Sequence, residues 1–277
     1  MLRLVDRSRS ILLPNGRQTP RVVLTYVRYP AHGLGSPGDQ RNAPASRGPF
    51  PLVVFGHGFA VTPNIFGTQL RAWARAGFVV AAPLFPLGNA NAPGGPNEAD
   101  IVNQPRDMSL VISRLLTASA DRQNPLSGLI DAKHIAVAGH SDGANTALAA
   151  AYDRSYRDSR VTAAVSLSGA RIPGSVPASS STGRAVPLLA VQGTADTINP
   201  PALTRAVYDP LRGPRFLLTL FGAGHLAPYI QQPAQATVVR RVVLAFLARY
   251  LKGDSKARNR MFAVGRAPGI ATLTGAG

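Results

Sequence analysis

The sequence predicts an α/β protein, a mostly parallel, twisted sheet with helices on both faces, preceded by an N-terminal antiparallel hairpin. Two observations carry that reading. From about residue 50 to about residue 250, short apolar runs alternate with stretches of helical periodicity, the pattern of a parallel sheet covered on both sides. Before them, the β-rich runs 10–13 and 22–29 flank Pro14, Asn15 and Gly16, a strong turn signal. At 277 residues the chain has room for one large domain. One domain over 1–277 is expected, with 1–30 as the hairpin and 254–277 as a less regular tail.

Each element has its own signal. After a Gly/Pro/Ser-rich loop at 32–49, the strand 51–55 is apolar throughout and ends at Gly56, His57 and Gly58. A helix follows with Phe66, Leu70 and Trp73 on one face, stopped by Gly77. The strand 78–83 comes next. Pro105 suits the start of a helix, where its missing N–H costs nothing, and Met108, Val111, Ile112, Leu115 and Leu116 share a face. The strand 134–138 leads into Gly139, His140, Ser141, Asp142, Gly143 and an alanine-rich helix. Strands at 161–167, 188–192 and 216–220 follow, then an amphipathic helix carrying Val239, Val242, Val243, Phe246 and Tyr250. The segment 169–187 is too short for a folded lid domain and is expected to lie over the cleft edge as a loop.

Composition excludes several functions. With no cysteine there is no disulfide, thiolate metal site or cysteine nucleophile. No His/Asp cluster has metal-ligand spacing, so neither metal nor cofactor is expected. The N-terminus lacks the apolar core of a signal peptide, and no apolar run approaches the ~20 residues that span a bilayer. A soluble protein is expected, cytoplasmic or secreted with its signal removed. Thirty Lys+Arg against 13 Asp+Glu give a net charge of +17, almost all of it arginine. These arginines are scattered and lack the interleaved aromatics of a nucleic-acid platform, so no specific nucleic-acid partner is expected. A basic surface facing a cleft would favour anionic or neutral substrates over cationic ones.

Gly139, His140, Ser141, Asp142 and Gly143 form a G-x-S-x-G sequence between a strand and a helix. In that context the serine sits on a sharp turn, with its hydroxyl at the carboxyl edge of the sheet. A serine hydroxyl needs a base. Of five histidines, His225 follows the last parallel strand on a glycine-rich loop, Gly222-Ala223-Gly224, and is the natural base. The imidazole needs a carboxylate to fix its tautomer. Asp196 lies just past the strand 188–192, between serine and histidine in sequence, whereas Asp209 stands in a helix-ending context and Asp142 is too close to the serine. An oxyanion needs two donors, for which the backbone N–H groups of Asp142 and Phe59 are placed, after the strands at 134–138 and 51–55.

With those residues the chain resembles the α/β-hydrolases, and within them the dienelactone-hydrolase-like group that includes chlorophyllase-like, platelet-activating-factor-acetylhydrolase-like and bacterial cutinase-like serine esterases. The resemblance runs from about Arg21 to about Lys252. It rests on Phe55-Gly56-His57-Gly58-Phe59, Gly139-His140-Ser141-Asp142-Gly143, Gly193-Thr194-Ala195-Asp196 and Gly224-His225, with Gln104-Pro105-Arg106-Asp107. It implies a carboxylic-ester hydrolase with Ser141, Asp196 and His225 as triad, a covalent acyl-enzyme and an open cleft for short-to-medium-chain esters. Hydrolysis of polymeric or lipid esters is the alternative, and a non-catalytic binding protein on the same fold is a further one. The chain departs from bacterial cutinases in carrying Asp142 where they have methionine. It also lacks the tryptophan that follows their next strand, and their C-terminal disulfide.

Overall fold

The computed structural model describes residues 1–33, 38–172 and 185–277. Nine strands form one sheet in the order β1-β2-β4-β3-β5-β6-β7-β8-β9. They are β1 (Leu2–Leu12), β2 (Gln18–Arg28), β3 (Phe50–Gly56), β4 (Val79–Leu84), β5 (Ile130–His140), β6 (Val161–Leu167), β7 (Leu188–Gly193), β8 (Arg215–Leu220) and β9 (Ala271–Ala276). From β4 through β8 the pairings are parallel, while β1, β2 and β9 run antiparallel to their neighbours. The helices are α1 (Gly67–Arg75), α2 (Gln104–Ala120), α3 (Asp142–Tyr152), α4 (Pro201–Tyr208), α5 (Ala227–Ile230), α6 (Pro233–Leu251) and α7 (Ala257–Gly265).

The unbroken apolar runs in the central strands exist because both sheet faces are covered. Val53 and Phe55 point into one core with Trp73 of α1, Phe246 of α6 and Met261 of α7. Leu52 and Val54, from the same strand, point into the other with Met108 and Ile112 of α2 and Ala147 and Ala150 of α3. Each crossover therefore returns the chain at the N-terminal edge, and the loops carrying Phe59, Ser141, Asp196 and His225 all gather at the carboxyl edge.

The hairpin is longer than the sequence indicates. Its turn falls at Pro14–Gly16 as expected, but β1 begins at Leu2. The charged residues of 3–9 mask it. As an edge strand β1 needs only alternate inward positions, and Leu2 and Leu4 supply them against the α2-side core. The region after Gly253 is not irregular. It folds as α7 and as β9, which pairs with the free edge of β8 from Arg215↔Ala276 to Leu220↔Ala271. Part of the 32–49 loop and residues 173–184 of the segment 169–187 lie outside the described residues, and with them the expected loop over the cleft edge.

One buried cluster ties the hairpin to the helical layer. Arg21 of β2 donates to both oxygens of Asp100 at 2.8 and 2.6 Å and to both of Asp107 at 2.8 and 2.6 Å. Arg9 of β1 adds a 2.7 Å bond to Asp107. Burial works against the Arg21 charge, yet its two carboxylates hold its pKa above the ordinary arginine value. Asp100 lies in the 3-10 segment Glu98–Asn103 and Asp107 in the first turn of α2, so the cluster fixes the chain that borders Ser141. Arg21→Met should destabilise the protein by about 3–5 kcal/mol, since it leaves the buried Asp100 without a cation and Asp107 with Arg9 alone. A shift of the urea midpoint equivalent to less than about 1 kcal/mol would show that the cluster is not a structural tie.

Candidate active site

β5 ends on His140, and α3 starts on Asp142, leaving Ser141 alone to turn the chain. Its backbone sits at φ 54° and ψ −124°, a region that non-glycine residues avoid. Glycine makes this turn feasible on either side. A Cβ on Gly139 would overlap the Gly143 carbonyl, and one on Gly143 would overlap the carbonyl of Gly56 in β3. The Ser141 carbonyl accepts from the amides of Ala144 and Asn145 at 2.8 and 2.9 Å, opening α3, and its N–H donates to Leu167 of β6 at 3.0 Å.

The predicted residues from three loops meet here. The Ser141 hydroxyl lies 2.8 Å from His225 Nε2, and His225 Nδ1 lies 2.9 and 3.1 Å from the two oxygens of Asp196. An ionised Asp196 can only accept, so Nδ1 carries the ring proton and Nε2 is free to accept from Ser141. Asp196 is 3% exposed and well supplied with donors. Its Oδ1 accepts from the amides of Ile198 and Asn199 at 3.0 and 2.9 Å, and its Oδ2 from Gln192 Nε2 at 3.2 Å. Burial pushes this carboxyl up, but the bonds from His225, Asn199 and Ser168 carry it below the usual carboxylate range. It stays charged beneath the imidazole.

Several of these supporting groups had no signal in the sequence. Ser168, fully buried with φ 50°, sets its hydroxyl 2.8 Å from the Tyr229 hydroxyl, and Asn199 Nδ2 donates to its carbonyl at 2.7 Å. Gln192 is anchored in turn by Thr204, whose hydroxyl donates to Gln192 Oε1 at 2.6 Å. A polar Gln at the end of an otherwise apolar strand was the one local clue to this network.

Of the four other histidines, His57 and His140 are buried beneath the site. His57 Nε2 accepts from the Phe85 amide at 3.0 Å, and its Nδ1–H donates to the Gly58 carbonyl at 2.7 Å. His140 Nε2–H donates to the His225 carbonyl at 2.8 Å, fixing the loop that holds His225. The loop after β3 is equally close. A Cβ on Gly58 would stand 3.2 Å from the Ser141 Cβ, so the chain leading into Phe59 runs against the serine. The Phe59 ring is 37% exposed.

Among the described residues, no group of three or more His, Cys, Asp or Glu is placed to hold a metal ion, and no helix is long and apolar enough to cross a membrane.

Burial holds both His57 and His140 at about 4, against an ordinary histidine near 6.5. In the unfolded chain both take up protons as pH falls below about 6.5, whereas folded they resist until about 4. The stability they contribute is therefore complete above about 6.5 and lost progressively as pH falls to about 4. The denaturation midpoint should drop markedly between pH 7 and pH 5, and the drop should be smaller in His57→Gln. An unchanged midpoint in the wild type over that interval would contradict the neutral, buried assignment.

The family model of the chlorophyllases matches residues 41–169, a span that contains Phe59, Ser141 and Asp142 and ends before Asp196 and His225. No curated protein matches the chain.

Proposed function

We propose that this chain, a member of the α/β-hydrolase superfamily similar over residues 41–169 to the chlorophyllases, is a serine esterase that cleaves carboxylic esters through an acyl-enzyme on Ser141. The observation that carries the reading is the continuous relay from Asp196 through both nitrogens of His225 to the hydroxyl of a serine held at φ 54°. A structural serine at a turn needs neither a base at 2.8 Å nor that strained backbone.

In this mechanism His225 Nε2 takes the Ser141 proton as Oγ attacks the ester carbonyl. The charge that develops on the carbonyl oxygen is met by the amides of Asp142, at the head of α3, and Phe59. The tetrahedral intermediate collapses when His225 returns the proton to the leaving alcohol. Water then enters, gives its proton to His225 and attacks the acyl group, and Ser141 regains its hydrogen as the acid departs. Asp196 keeps its charge throughout and stabilises the imidazolium.

Exposed apolar side chains follow the strands that bear these loops. They are Phe59 and Ile65 after β3, and Ile198, 67% exposed, after Asp196. They favour an ester with an apolar portion and keep polymeric or lipid esters as the second reading. Both readings share the same chemistry and differ in whether an interface is required.

Ser141→Ala should lower kcat/KM on p-nitrophenyl butanoate by on the order of a thousandfold or more while the protein stays folded. A variant that keeps most of its activity would remove Ser141 as nucleophile. With an open cleft, the rate on a chain-length series of esters should rise smoothly through each substrate's solubility limit. An abrupt jump at that limit would favour the lipase-like alternative.

A further inference from the structure

Asp142 enters the mechanism only through its amide, and its side chain is unexplained. The residue is 7% exposed, and its Oδ2 is shut off from solvent without a hydrogen-bond partner. Most other buried carboxylates have a cation, although Asp153, where α3 ends and away from Ser141, also keeps an unpartnered Oδ2. Asp100 and Asp107 share Arg21, Asp158 has Arg160, and Asp196 has His225. The charged group that bears on Asp142 is Glu98, the only glutamate in the chain, at the start of the 3-10 segment clamped by Arg21. None of the described ion pairs includes Asp142 or Glu98, in a chain with 30 arginines and lysines.

This arrangement conflicts with the proposed reaction unless something completes it. A carboxylate beside the point where an oxyanion develops raises the energy of the transition state, because like charges repel strongly away from bulk water. Burial, with Glu98 adding to it, pushes the Asp142 carboxyl up to about 6, as expected of an acid lacking its counter-ion. A cation supplied by the substrate would remove both penalties, pairing with Asp142 and lying close to the developing oxyanion.

The position of Asp142 also says which half of the ester carries the cation. The alcohol must leave on the side of His225 Nε2, which returns its proton. The carbonyl oxygen lies on the opposite side, at the Asp142 amide, so the Asp142 carboxylate is nearest the carbonyl and the first carbons of the acyl chain. We propose that Asp142, in the field of the more distant Glu98, binds a protonated amine one or two carbons from the scissile carbonyl, making aminoacyl esters the preferred substrates. This rests on the esterase reading above. It also reverses the preference expected from net charge, because Asp142, next to Ser141, acts at contact range while the scattered arginines act through screened distance.

Two benzyl esters that differ only in an ammonium or a methyl group, benzyl 3-aminopropanoate and benzyl butanoate, test it at pH 7.5. The wild type should favour the amine by at least tenfold in kcat/KM. That ratio should fall by on the order of 10- to 100-fold in Asp142→Asn, the loss expected for a charged hydrogen bond in a secluded site. Glu98→Gln, on an exposed residue away from the elbow, should lower the same ratio by a smaller factor. A wild-type ratio at or below one, or a ratio unchanged in Asp142→Asn, overturns the inference while leaving the esterase standing. Failure of the wild type to cleave either ester overturns the esterase reading itself and this inference with it.

Discussion

A serine at φ 54° and ψ −124° costs about 1–3 kcal/mol, and nothing in its own sequence neighbourhood repays that. The repayment comes from packing across strands. Gly139 and Gly143 let the turn press against itself and against Gly56, so that β3, β5 and α3 meet with almost no gap. The rest of the site depends on this contact. It aims the Ser141 hydroxyl at His225, brings the Gly58–Phe59 loop alongside, and starts α3 directly after the serine. A side chain at any of the three glycines would separate the layers and lose all of these at once.

From that fixed point the other loops are positioned by buried polar bonds. Asp196 is held by two amides and by Gln192, itself anchored by Thr204. His225 is held from its backbone side by His140, whose ring lies 4.8 Å from that of His225 and 5.1 Å from Tyr229. On the other flank, Arg21 clamps the segment that brings Glu98 toward Asp142. Most polar groups around Ser141 therefore have a partner, and that makes the unpartnered Asp142 oxygen meaningful. His140 Nδ1 and Ser166 Oγ are also without a partner, but of the three only the Asp142 oxygen belongs to an acid.

Much of this was legible in the sequence. The turn at Ser141 and the loops carrying His225, Asp196 and Phe59 are each marked by glycines within a few residues of the named side chain, and each follows an apolar run whose length identifies a strand. What stayed hidden was non-local. Arg21 lies 79 residues from Asp100 and 86 from Asp107 in the chain, and the three form a cluster only because β2 pairs with β4 beside α2. Ser168, Asn199 and Tyr229 are ordinary polar residues whose roles arise from the meeting of β6, β7 and α5. β9, with the sequence Ala-Thr-Leu-Thr-Gly-Ala, has weak strand character of its own and forms because β8 offers it a free edge. β1 was obscured for a related reason, since an edge strand shows only half of the apolar pattern.

The account turns on one claim, that Ser141 is the activated nucleophile, and covalent trapping tests it without reference to substrate preference. A dialkyl p-nitrophenyl phosphate phosphorylates a serine only when a neighbouring base and oxyanion donors assist the attack. Intact-mass and peptide mass spectrometry after such treatment should find one dialkylphosphoryl group per chain, on Ser141, with release of one equivalent of nitrophenolate. An unmodified chain, or a label on another residue while Ser141 remains free, would contradict the account.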